Sequence, residues 1–123
     1  MLLTRPALER VGKFDPNYYF YFDDWDLSAR FREAGFQILF IPQARLWHKV
    51  SMSTRKADRP ARWWHVLGKS SVRYYLRHAS GWVLSLHTAW VALREAAKLQ
   101  PGHILPFLFG VAEGLAERAG WRT

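Results

Sequence analysis

The sequence predicts an α+β chain: short strands and helices first, then a tail of about three helices. Three observations carry this expectation. Phe36–Ile41 and Ala44–Val50 are apolar runs of strand length around Pro42. Composition turns to Ser, Thr, Arg and Lys over residues 51–58, which marks a boundary between segments 1–58 and 59–123. Beyond that boundary, apolar residues recur at helical spacing.

Taken in order, Met1–Thr4 reads as the end of a strand. It breaks after two apolar residues and so gives no secretory signal. Arg5–Val11 reads as a short helix with Pro6 at its first position and Gly12 as its stop. Asp15-Pro16-Asn17 reads as a turn, because proline presets φ and the flanking side chains bond nearby backbone. Tyr18–Phe22 is aromatic and reads as extended. A helix follows from about Asp24 to Ala34, with Leu27, Phe31 and Ala34 on one face and Gly35 as a left-handed stop. Past the boundary, helices are expected over roughly 59–79, 81–99 and 103–119, broken at Ser80-Gly81 and Pro101-Gly102. Trp82, Leu86, Ala89, Trp90, Leu93 and Ala97 share one face of the second. Their apolar pieces fall short of the roughly 20 residues a spanning helix needs.

The organising stretch is Tyr19-Phe20-Tyr21-Phe22-Asp23-Asp24-Trp25-Asp26. Asp23 or Asp24 can cap the helix, and Asp26 sits in a first turn that favours negative charge. Capping needs one carboxylate, and here there are three. A carboxylate where a strand meets a helix is also a good general base, since neighbouring like charges raise its proton affinity.

The net charge of +8 is uneven. Residues 1–58 hold nine Lys/Arg against seven Asp/Glu, whereas residues 59–123 hold nine against three, so the second half is the one that attracts anions. The absence of cysteine excludes disulfides and thiolate metal sites. Arg62, Trp63, Trp64, Lys69, Arg73 and Arg77 mix basic and aromatic groups on the first long helix. That suits an anionic membrane surface, though nucleic acid would use the same groups. Phe14, Tyr18, Tyr19, Tyr21 and Trp25 offer stacking surface for a sugar, but alternation along a strand would send about half of them inward. A lone strand histidine such as His48 has a structural role more often than a chemical one.

Five pieces in order resemble the C-terminal, acceptor-side part of a family-2 glycosyltransferase of the glycosyltransferase A fold, near its rhamnosyltransferase-like members. They are Leu2–Leu8 with Val11–Pro16, Tyr21–Arg30, Ala34-Gly35-Phe36, Ile41–His48, and Tyr74–His78. Asp23 stands where the family more often has Glu, and His78 where Asn is usual. The resemblance implies a partial glycosyltransferase A fold in residues 1–58, followed by a basic, Trp-rich helical tail in 59–123. It makes Asp24 the general base of an inverting transfer from a nucleotide-sugar to a hydroxyl of a lipid-linked or polysaccharide acceptor. Asp23, Trp25 and Tyr21 fall on the acceptor side. His48, Lys49 and Arg45 fall near the diphosphate, with His48 the candidate metal ligand. The family's nucleotide half, with the Asp-x-Asp motif that holds Mg²⁺ or Mn²⁺, would precede Met1. A divalent metal is therefore expected only in a complete enzyme, and the chain is expected to be an inactive fragment alone. The resemblance places it in the cytoplasm, peripheral on the inner face of an anionic membrane, with nucleic acid the less expected partner. The alternative is a basic module that binds anionic membrane or nucleic acid without chemistry.

Overall fold

The computed structural model describes residues 2–45, 47 and 61–120. Among them the chain is helical: α1 (Arg5–Val11), α2 (Asp23–Glu33), α3 (Ala61–His78), α4 (Gly81–Ala97) and α5 (Ile104–Glu117), with 3₁₀ turns at Pro101–His103 and Arg118–Gly120. The α+β expectation is therefore overturned, and with it the partial glycosyltransferase A fold, because no strand occurs among the described residues. Residues 2–4, Tyr18–Phe22 and Phe36–Ile41 are irregular, as are Ala44, Arg45 and Trp47; the rest of that expected last strand lies outside the described residues. The physical reason is the ladder. A helix closes its hydrogen bonds within itself, but a strand needs a neighbouring strand for every N–H and C=O. Phe36–Ile41 has strand composition and, among the described residues, no strand beside it. Leu39 and Phe40 stay 71% and 88% exposed.

The helices form where the spacing places them. Pro6 lies in the first turn of α1, and Gly12 ends it at φ 87°. Gly35 follows α2 at φ 85°, a left-handed value that costs glycine nothing. Ala7, Leu27 and Phe31 form a small core with Leu3, Leu8, Val11 and Phe36 packed on it. A second core joins α3, α4 and α5 through Trp64, Val91 and Phe107, with Leu67 and Val111 against it.

Close approach of α3 and α5 depends on glycine. A Cβ on Gly68 would collide with the Phe107 carbonyl oxygen, and one on Gly110 with that of His65. One on Gly114 would lie 3.0 Å from Val72 Cβ. Gly110 and Gly114 make a small-residue pair four apart, a spacing that lets helix backbones touch. The seam is rimmed by a hydrogen bond between Glu113 and His65 at 2.8 Å and by ion pairs of Lys69 with Glu113 and Glu117, both at 2.7 Å.

Candidate functional site

Asp26 parts from the other two acids of the organising stretch. Asp26 points inward and is fully buried. Its Oδ1 accepts from His78 Nε2 at 2.8 Å and lies 3.4 Å from Arg77, while Oδ2 accepts from Arg30 Nε at 2.8 Å. Arg30 in turn donates to the carbonyls of Val11 (3.0 Å) and Lys13 (2.8 Å). The other ring nitrogen of His78 meets Glu33 at 2.8 Å, so the ring bridges the two carboxylates. Tyr18 closes the cluster at 3.5 Å from Asp26 Oδ1. Burial, then the charge of Asp26, pushes the Tyr18 hydroxyl well above its usual range, so it stays a donor. A buried carboxylate needs this many donors to offset its lost hydration.

A second carboxylate, Asp15, fixes the preceding turn. It accepts from the Asn17 backbone at 2.9 Å and pairs with Arg73 at 3.0 Å and Arg77 at 3.3 Å. Burial acts to raise its pKa, but the Asn17 hydrogen bonds and the Arg73 guanidinium outweigh that and hold it below the ordinary value.

Asp24, by contrast, is exposed in the first turn of α2, where its Oδ1 accepts from the Trp25 N–H at 2.9 Å. Neither Asp23 nor Asp24 is the N-cap. That position belongs to Phe22, which makes no side-chain cap and has left-handed backbone at φ 63°. Tyr21 before it is also left-handed at φ 65°. Two successive aromatic residues in this region are strained, at a cost on the order of 1–3 kcal/mol each. The surroundings hold them there. Phe22 stacks on Tyr74 at 5.1 Å and meets Tyr75 at 5.7 Å, and Ser70 Oγ donates to the Phe20 carbonyl at 2.9 Å. Trp25 is mostly exposed, with its edge against Phe22 at 5.4 Å and Tyr74 at 5.9 Å. The result is a strained aromatic ledge that presents an exposed carboxylate and an exposed indole, seated on a buried ionic cluster.

Of the expected site residues, the structure brings Asp23, Asp24, Trp25 and Tyr21 together at the start of α2. Arg45 is exposed in the irregular segment after α2, and His48 and Lys49 lie outside the described residues. No three His, Asp or Glu side chains among the described residues are grouped so that they could hold a metal ion. The expected stacking group is divided as well, since Tyr18 is buried while Tyr19 lies exposed under Arg62 at 5.0 Å. Sequence reasoning missed the Asp26–His78 pairing, for which the sequence carries no local signal. It also missed the Gly110/Gly114 seam, which the G-x-x-x-G spacing in an apolar helix could have shown.

Over part of its length the chain is similar to N-acetylglucosaminyl-diphospho-decaprenol L-rhamnosyltransferase from two strains of Mycobacterium tuberculosis. Identity to each is 33% over 94 residues, covering 63% of this chain. The chain spans 29% of the length of these relatives. No family model matches the chain. No solved structure matches it either.

Proposed function

We propose that this chain provides the acceptor side of an inverting, family-2-like glycosyl transfer, with residues 1–58 carrying the site and 59–123 the basic helical part. The observation that carries the reading is the division of the acid cluster: Asp26 is consumed in the interior while Asp24 stays exposed beside Trp25, just after the left-handed Tyr21 and Phe22. The partial similarity to a rhamnosyltransferase supports the same class. Asp24 takes the proton of the acceptor hydroxyl as that oxygen attacks the anomeric carbon of a nucleotide-sugar. The nucleoside diphosphate leaves with the bonding electrons, and configuration inverts. Trp25 and Tyr21 give apolar faces against which a sugar ring packs, and Asp23 accepts hydrogen bonds from its hydroxyls. Arg45, His48 and Lys49 are assigned to the diphosphate side. A divalent metal, with His48 beside it, belongs to this reaction only if other residues supply its ligands. The acceptor is a lipid-linked glycan or polysaccharide, and the reaction takes place on the cytoplasmic face of the membrane.

The test is product stereochemistry in a protein that carries this chain together with a nucleotide-sugar site. An inverted anomeric linkage, read by nuclear magnetic resonance, is expected. A retained configuration, or no transfer to any lipid-linked or polysaccharide acceptor, contradicts the reading.

A further inference from the structure

α4 exposes a face that the fold does not use. Its inward side holds Leu84, Val91 and Glu95. On the opposite side Trp82, Leu86, Trp90 and Leu93 are 66%, 60%, 56% and 72% exposed, at spacings that align them in one stripe. The small residues Ser85, Ala89, Ala96 and Ala97 fill the gaps, and no charged side chain interrupts the stripe. Its cations stand at one edge, toward the C-terminal end. Arg94 lies over the Trp90 ring at 4.6 Å and Lys98 follows one turn on, and both pair with Glu95, at 2.8 and 3.4 Å.

α3, where the sequence placed the membrane-facing groups, does not offer such a face. Trp64 is buried, Trp63 packs on Phe20 at 4.6 Å, Lys69 is held by two glutamates, and Arg73 is buried against Asp15. These basic and aromatic groups of α3 are spent on the fold, whereas Trp82, Leu86, Trp90 and Leu93 of α4 stay exposed.

We infer that the Trp82/Leu86/Trp90/Leu93 face of α4 docks the chain on an anionic lipid surface, lying in the interface. Two indoles on an uncharged stripe match the headgroup–acyl boundary, where an aromatic ring finds apolar and wet surroundings together. The net charge of +8 then draws the chain toward anionic headgroups. No helix among the described residues is long and apolar enough to cross a membrane, so the contact is one of lying on the surface. A second copy of the chain is the less favoured occupant, because two chains of net charge +8 repel each other while anionic lipid attracts either. This inference stands apart from the transfer reaction, and its test involves no turnover.

The test is co-sedimentation of the 123-residue chain with vesicles of phosphatidylcholine, with and without phosphatidylglycerol, across a salt series. Binding to the anionic vesicles is expected, weakening as salt screens the surface. The triple variant Trp82→Ser, Leu86→Ser, Leu93→Ser should bind at least about tenfold more weakly. Its far-UV circular dichroism should match the parent, since the three side chains are exposed. A control triple, Ile38→Ser, Leu39→Ser, Ile41→Ser, alters other exposed apolar residues and should bind as the parent does. Equal binding by the α4 triple overturns the inference, as does equal loss in both triples or equal binding to neutral and anionic vesicles. A chain that ignores vesicles but dimerises through α4, seen as a sedimentation shift that the α4 triple abolishes, overturns it as well.

Discussion

The two halves of the described chain are held together by different chemistry. In residues 2–45 the apolar core is small, and the elements are fixed by two buried or half-buried carboxylates, Asp26 and Asp15, each with cations from α3. In residues 61–120 the elements are fixed by close backbone approach at Gly68 and Gly110 and by an apolar core around Phe107. A polar cluster specifies orientation, because each charge must find its partner. A glycine seam specifies distance, because any side chain would push the helices apart. On the proposed reading the first half aims a carboxylate, while the second is a helical body with an exposed outer face.

The largest expected effect breaks the first half. Asp26→Ala leaves His78, Arg30 and Arg77 without their shared anion and should cost about 3–5 kcal/mol, as for breaking a buried ion pair. The check is the urea midpoint by circular dichroism, together with amide exchange. Protection should fall in α2 and the C-terminal turn of α3 and persist in α5. Uniform loss would show one cooperative unit and remove the distinction between the halves.

Next in size, Gly110→Ala strikes the second half. The added methyl meets the His65 carbonyl, backbone that has no rotamer to give, so a loss of about 1–3 kcal/mol is expected. Here α5 protection should fall first while Asp26 keeps its partners. A midpoint equal to that of the parent would mean that the seam is looser than described.

Acid should act in two steps, the first confined to the second half and the second shared by both. Burial, with the Arg94 charge, lowers the His87 pKa in the second half, so the unfolded chain binds that proton more readily. Stability tied to His87 is therefore full above about pH 6.5 and declines below it. Asp15 in the first half is also lowered, but from the carboxylate range. Its contribution holds above about pH 4 and is lost as pH falls through its folded value. Glu95 is lowered too, since hydrogen bonds from His103, Arg94 and Lys98 outweigh its burial, and it adds to that second decline. A urea midpoint that rises on acidification from pH 7 to 3 would contradict both assignments. The smallest effect is at the surface: Arg5→Ala removes an exposed bridge to Glu9 and should change stability by less than about 0.5 kcal/mol.

How legible each half was follows from the range of its interactions. α1, α2 and the three later helices lie within a few residues of their expected bounds, because helix bonds, the Pro6 opening and the Gly12 and Gly35 stops are all local. Phe36–Ile41 reads as a strand from composition alone, but a strand also requires a neighbour, which a single segment cannot show. Asp23, Asp24 and Asp26 look alike in sequence. Their separate fates are set by His78, more than fifty residues away, and by the left-handed turn at Tyr21-Phe22. α4's free face was visible as a periodic stripe. That it stays uncovered depends on how α3 and α5 pack.

The central claim is that Asp24 reacts while Asp26 supports, and a paired measurement on Asp24→Asn tests it most directly. In an enzyme that unites this chain with a nucleotide-sugar site, turnover and the urea midpoint are measured on the same preparation. Asp24→Asn should lower turnover by about 10²–10⁴, the worth of a general base, and leave the midpoint and nucleotide-sugar affinity where they were. Unchanged turnover, or a turnover loss matched by unfolding, would contradict the account.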